Sequence, residues 1–205
     1  MILEFLGIIA GLSLLIYGAD WFVSGSSNIA RLSGMPPLII GLTVVGIGTS
    51  LPEILVGTVA ALNYKTEIAI GNAIGSNIAN IGLVLGATAL SFPVTIKSKT
   101  LRWEYWLMTA SIVITLVVLL DRSLSRIDSL VLLVILGMFV WQIIRLAKKS
   151  PPSDPLTREY EKELAEVTTI GKSSLKLLTG LILLLGGAEL LVRCAVIVAE
   201  YFGIS

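Results

Sequence analysis

The sequence has 205 residues, of which 55% are hydrophobic and only 14% are charged, and its mean hydropathy is +0.92. Soluble domains carry about 25% charged residues, so this composition excludes a soluble globular protein and predicts an integral, multi-pass membrane protein. The net charge of +1 does not indicate a partner, and we expect no nucleic acid among the partners. The absence of His removes the commonest metal ligand and proton shuttle.

Apolar runs of spanning length predict an all-α membrane protein with about six transmembrane helices. In chain order, these runs cover residues 2–30, 37–62, 68–92, 104–120, 129–147 and 174–201. The one long polar connection, residues 148–172, is rich in proline and charge and predicts a surface loop with a short amphipathic helix at 157–167.

Lysine and arginine predict the orientation of these spans. If the N-terminus lies outside, only Lys65, Arg122 and Arg126 fall in outside loops, and the other basic residues between the spans are cytoplasmic. The positive-inside rule therefore predicts an external N-terminus and a cytoplasmic 148–172 loop. With compact loops and no targeting segment, we expect a prokaryotic inner membrane.

The second span contains the segment Gly-Ile-Gly-Thr-Ser-Leu-Pro-Glu at 46–53. A carboxylate at mid-membrane costs roughly 2.5–3.5 kcal/mol on insertion scales, so Glu53 is predicted to be functional. Thr49 and Ser50 precede it by four and three residues, which places the three side chains on one helical face. Pro52 has no N–H, so a backbone carbonyl one turn earlier loses its helical partner. Such an oxygen-only cluster favours hard cations such as Ca²⁺ over Zn²⁺ or copper.

The third span contains a second polar motif, at 71–82. Asn72, Ser76 and Asn80 recur every four residues and predict one polar stripe along a helix. Such residues often only bridge neighbouring membrane helices. The short connection after the second span makes these two helices adjacent and antiparallel, so we favour a shared site with Glu53.

The sixth span repeats the first. Gly18-Ala19-Asp20 matches Gly187-Ala188-Glu189 at an offset of 169 residues (18 to 187), and Gly11 matches Gly180 at the same offset. Five spans separate the two starts, so the copies cross the membrane in opposite directions, as in the inverted repeats of secondary transporters.

The offset predicts three regions: a first five-helix repeat at 1–147 with its motifs at 41–53 and 71–82, the 148–172 loop, and the first helix of a second repeat at 173–205. The counterpart of 41–53 would begin near position 210 (41 + 169), so we expect a truncated chain that lacks the second set of motifs.

Together, the two motifs and the first helix resemble the sodium/calcium exchanger family of the cation/calcium exchanger superfamily. The resemblance implies an antiporter of Ca²⁺ against Na⁺ rather than an enzyme, with no catalytic residues and no cofactor, since the two cations are transported ligands. Carried over position by position, it implies that the ion site is lined by Thr49, Ser50, Glu53, Ser76, Asn80 and the backbone carbonyl of Gly46.

Two alternatives remain at this stage. A Ca²⁺/H⁺ exchanger is the first, although the proton-coupled branch of the superfamily typically has a Glu where Ser76 and Asn77 stand here. A passive cation channel subunit is the second. Because Ca²⁺ prefers six to eight oxygen ligands, we expect this chain alone to bind Ca²⁺ weakly, and to need the missing second repeat or a second copy besides the lipid bilayer.

Asp20 and Glu189, outside the motifs, are acids well inside their spans. Glu189 and Arg193 are four residues apart and are predicted to neutralise each other. Asp20 has no such neighbour, and it is interpreted either as paired with nearby polar groups or as a peripheral gate.

Overall fold

A computed structural model describes residues 1–92, 100–120, 123–149 and 168–203, and within these ranges every regular element is a helix. Five helical segments are long and apolar enough to cross a membrane: Ile2–Leu32, Pro37–Leu62, Thr66–Ser91, Arg126–Arg145 and Ile170–Tyr201. These confirm five of the six predicted spans. The predicted fourth span is a helix whose apolar part, Met108–Leu119, is shorter. The predicted helix at 157–167 lies outside the described residues.

The elements follow one another in a simple order. They are α1 (Ile2–Leu32), α2 (Pro37–Ile39), a π-helical segment π1 (Ile40–Val45), α3 (Gly46–Thr49), α4 (Leu51–Leu62), α5 (Thr66–Ile78), a second π-helical segment π2 (Ala79–Leu85), α6 (Gly86–Ser91), α7 (Thr100–Leu119), α8 (Arg126–Lys149) and α9 (Ile170–Tyr201). The chain divides into two compact units: one of Met1–Gly34, Val44–Val94 and Ala165–Ser205, the other of Met35–Thr43 and Thr95–Leu164.

In the first unit, α1 and α9 pack against each other along a seam of glycines. A Cβ atom added to Gly11 would lie 3.1 Å from the Gly187 carbonyl oxygen, and one added to Gly18 would lie 3.0 Å from the Gly180 carbonyl oxygen. At the end of the seam, Gly25 faces the backbone of Ser173. Partner numbers fall as α1 numbers rise, so the helices are antiparallel. Side chains this small let the two backbones touch, which is how membrane helices associate without a hydrophobic driving force.

Helix α4 packs on this pair and completes the core of the unit. Val56 and Ala60 of α4 are buried with Leu184, Ala188 and Val192 of α9. Beyond the core, the Lys65 ammonium lies 2.8 Å from the Glu200 carboxylate and ties the turn after α4 to the end of α9. The segment that contains Glu53 is therefore fixed against the α1–α9 pair.

The third span is different, because none of the residues of α5, π2 and α6 is buried. Its glycines Gly71, Gly75 and Gly82 have no atom within 4 Å of an added Cβ. The face that holds these three glycines is open among the described residues.

In the second unit, α8 begins with a reciprocal cap. The Ser125 N–H donates to Asp128 Oδ2 at 2.8 Å, and the Asp128 N–H donates to Ser125 Oγ at 3.2 Å. This capping box satisfies two N–H groups that have no helical partner at a helix start. Near the other end of α8, Ala147 is buried together with Leu38 and Ile39 of α2.

Candidate ion site

The first motif lies where the second span breaks. Helix α3 ends at Thr49 and α4 begins at Leu51, with Ser50 between them. The Ser50 N–H donates to the Ile47 carbonyl oxygen at 3.1 Å, three residues back, so the last turn of α3 is tightened. The carbonyl that Pro52 deprives of a partner is that of Gly48, and here it accepts a backbone N–H from the end of α3. The Gly48 carbonyl therefore loses its helical partner at residue 52, as expected, but it accepts this other N–H instead.

The Gly46 carbonyl oxygen is the point at which three predicted ligands meet. Thr49 Oγ1 donates to it at 3.1 Å and Ser50 Oγ at 3.4 Å. Because each hydroxyl donates its one hydrogen bond to this carbonyl, the lone pairs of the hydroxyl oxygens remain available to coordinate a cation. The motif thus gathers one carbonyl and two hydroxyl oxygens at the end of a helix, and all three residues are exposed.

Glu53 lies one turn further on, in the first turn of α4. Glu53 as a whole is partly buried. Its Oε2 atom is fully buried and has no hydrogen-bond partner among the described residues. An unpaired buried polar atom costs about 1–3 kcal/mol, and more when it is charged. The start of α4 offsets part of this cost, because a helix N-terminus favours negative charge. A carboxylate oxygen in this state is what a bound cation would satisfy.

The second motif is joined to Glu53 through Asn72. The Asn72 side-chain amide donates to the Glu53 backbone carbonyl oxygen at 3.0 Å. This bond fixes α5 beside α4 and confirms that the two motif helices are adjacent. Asn72 was predicted in the polar stripe but was not among the implied ligands, and the structure gives it a positioning role.

The other residues of the second motif lie further along the same span. Ser76 is partly buried, and its hydroxyl donates to the Ala73 carbonyl oxygen at 3.3 Å within α5. Asn77 also bonds to Ala73, at 2.8 Å, in keeping with a structural role. Asn80 is exposed, and its side chain makes no hydrogen bond within the described residues.

Both motif helices contain a π-helical segment that the sequence analysis missed. Segment π1 ends immediately before Gly46, and π2 contains Asn80. A π turn takes in one extra residue, and such segments occur frequently at functional sites. Side chains that follow π2 are rotated away from the stripe that a continuous α-helix would produce. Glycines lie in or beside both segments, but glycine alone does not distinguish a π turn from an α-helix.

The candidate ligands of the two motifs are Gly46, Thr49, Ser50, Glu53, Ser76 and Asn80. They offer only oxygen donors, which suit Ca²⁺ and Na⁺, and no group of three or more His, Cys, Asp or Glu residues gathers within the described ranges. Glu53 is the one carboxylate in the two motifs.

Comparison with known proteins agrees with this site chemistry. The family model described as "Sodium/calcium exchanger protein" matches residues 3–145. The putative antiporter CaxA of Alkalimonas amylolytica is 42% identical over 205 residues, which cover 100% of this chain and 64% of the relative. The sodium/calcium exchanger MaX1 of Methanosarcina acetivorans is 40% identical over 119 residues, covering 58% of this chain and 34% of the relative.

Solved structures give the same result. A structure of the sodium-calcium exchanger NCX_Mj, soaked with Na⁺ and Sr²⁺, is similar with a TM-score of 0.59 and 36% identity, covering 100% of this chain and 64% of that one. The chain thus spans about 64% of the length of CaxA and of NCX_Mj. With a family match over most of the chain and this likeness of fold, the chain belongs to the sodium/calcium exchanger protein family.

Proposed function

We propose that this chain provides one half of the ion pathway of a secondary antiporter that moves Ca²⁺ against Na⁺. The observation that carries the proposal is the grouping of Gly46, Thr49 and Ser50 one turn before a carboxylate with a buried, unpartnered oxygen. In this assignment Glu53 supplies the charge, and Ser76 and Asn80 add neutral oxygens from the neighbouring span.

Exchange follows if both ions need the same ligands. A Ca²⁺ ion and a Na⁺ ion cannot occupy Glu53 together, so one must leave before the other binds. The carboxylate is the only group in the motifs whose charge distinguishes a divalent from a monovalent ion. A neutral replacement therefore weakens Ca²⁺ binding more than Na⁺ binding.

The site proposed here is a half site. Ca²⁺ takes six to eight oxygen ligands, and the two motifs present them from one side only. The remaining ligands would come from a second repeat of the whole protein, or from a second copy of this chain. Support comes from the exposure of Gly46, Thr49, Ser50 and Asn80, and from the uncovered third span, which has no buried residue. On this proposal the chain alone binds Ca²⁺ weakly.

Sodium coupling is favoured over proton coupling by the residues of the second motif. Ser76 and Asn77 offer no group that takes up a proton near neutral pH, and the sequence has no His. The same set of neutral oxygens suits Na⁺. We propose the orientation given by the basic residues, with the N-terminus outside, in a prokaryotic inner membrane.

The decisive experiment is ⁴⁵Ca²⁺ uptake into sodium-loaded proteoliposomes. This chain is compared with a version that continues into a second repeat, and we expect uptake only by the longer version and only with an outward Na⁺ gradient. Uptake driven by a pH gradient instead would favour a Ca²⁺/H⁺ exchanger. Flux without any counter-ion would favour a channel. Uptake by this chain alone would show that two copies can build the site.

A further inference from the structure

The two helices of the glycine seam each hold an acid near the middle of the span, at matching positions. Asp20 of α1 and Glu189 of α9 are related by the offset of 169 (20 + 169 = 189). Glu189 is neutralised within its own helix, because Arg193 Nε lies 2.5 Å from Glu189 Oε1. This confirms the pairing predicted from their spacing.

Asp20 lacks this arrangement. The counterpart of Arg193 in α1 is Ser24 (24 + 169 = 193), which has no charge to offer. The Asp20 residue is exposed, and its carboxylate makes no hydrogen bond or ion pair within the described residues. An uncompensated charge at this depth is unfavourable, and such residues almost always pair. A cation from another helix would supply the charge that Ser24 cannot.

Lys176 of α9 is a cation that reaches α1 one turn from Asp20. Its Nζ atom is 3.4 Å from Ser24 Oγ, across the seam between the two helices. Asp20 and Ser24 are four residues apart, so their side chains share one face of α1 and lie one turn from each other. The flexible four-carbon stem of lysine lets the ammonium move from Ser24 to Asp20, one turn along α1.

We propose that Lys176 is the counter-ion of Asp20, and that the two form a charge pair across the α1–α9 seam with Ser24 as the bridging hydroxyl. The pair neutralises the charge of Asp20 from a neighbouring helix, as Arg193 neutralises Glu189 from within α9. It also adds a charged link between the two helices, beside the glycine contacts and the buried side chains of Leu15, Leu184 and Ala188. A positive charge beside Asp20 disfavours a second cation there, so Asp20 is not a site for a transported ion.

A double-mutant cycle tests the pair in the full-length protein, purified in detergent and followed by thermal unfolding. The variants are Asp20→Asn, Lys176→Met and both together, with Lys172→Met, one turn earlier on α9, as the matched control. We expect each single change to lower Tm by roughly 3–6 °C, and the double variant to lie closer to the original protein than either single.

A charge exchange completes the test. Asp20→Lys combined with Lys176→Asp should recover at least half of the Tm that Asp20→Lys alone loses. Additive losses in the cycle, or a Lys176→Met effect no larger than that of Lys172→Met, would overturn the proposal. Because unfolding is measured without transported ions, the outcome does not depend on the proposed exchange activity.

Discussion

Two glycine-rich faces of this chain have opposite surroundings. The glycines shared by α1 and α9 meet backbone atoms of the opposite helix, so that seam is complete within the chain. Gly71, Gly75 and Gly82 of the third span meet nothing within 4 Å among the described residues, although that span contributes Asn72, Ser76 and Asn80 to the candidate site. The contrast shows that the same residue type can close one interface and leave another face uncovered among the described residues. The open face is also the one beside the proposed ion ligands.

We expect the largest effect, on Ca²⁺ uptake, from a change at Glu53, the proposed ion ligand beside the third span. Glu53→Gln in the longer, transporting version should lower Na⁺-driven ⁴⁵Ca²⁺ uptake by at least about 100-fold, because it removes the charge while nearly keeping the shape. Tm should stay within about 2 °C of the original, since Glu53 Oε2 has no hydrogen-bond partner among the described residues that the change would remove. Glu67→Gln, at the start of α5, is the matched control and should transport normally. Persistent uptake by Glu53→Gln would show that Glu53 is not a ligand of the transported Ca²⁺.

The second effect is a loss of stability at the glycine seam between α1 and α9. At Gly180 an added Cβ would lie 2.5 Å from the Phe22 backbone nitrogen and 2.8 Å from the Gly18 carbonyl oxygen. Since neither backbone can move alone, Gly180→Ala should cost about 1–3 kcal/mol of stability and lower Tm by several degrees. Gly186→Ala, on the same helix but facing open space, should be neutral or slightly stabilising. Equal Tm values for the two variants would mean that the seam is not closely packed.

A third prediction tests whether the open face is covered in the longer protein. In this chain, Gly75→Ala should be neutral or stabilise by up to about 1 kcal/mol, because alanine favours a helix and meets nothing. In the longer version the same change should lower Tm, if a second-repeat helix lies against Gly75. A gain of stability in both versions would show that the face stays open, and the half-site proposal would lose its support.

The smallest effect concerns the link between the two motifs. Asn72→Ala removes the bond to the Glu53 carbonyl and should cost about 0.5–1.5 kcal/mol in the unfolding free energy. Because α5 is then less firmly placed beside Glu53, the KM for Ca²⁺ should rise several-fold while the maximal rate changes less. Asn77→Ala, which removes a bond within α5 only, is the control. An unchanged KM would mean that α5 is positioned by other contacts.

Much of the local structure could be predicted from the sequence because its causes are local. Apolar length marked the spans, and the spacing of Glu189 and Arg193 was enough to predict their ion pair. The π segments beside Gly46 and around Asn80 could not be predicted, because one extra residue in a turn depends on what packs around it. The assignments of the ion ligands and of the repeat boundaries remain predictions.

The sequence by itself determined the membrane environment, the helical class and the oxygen-only character of the two motifs, since these follow from residue type and spacing. Tertiary structure decided which groups meet. It directed the Thr49 and Ser50 hydroxyls to the Gly46 carbonyl, left Glu53 Oε2 without a partner among the described residues, and brought Lys176 to Ser24 across a seam of glycines. The physical reason is that a side chain's partner across a helix interface depends on how closely two backbones approach, and spacing along one chain does not contain that distance.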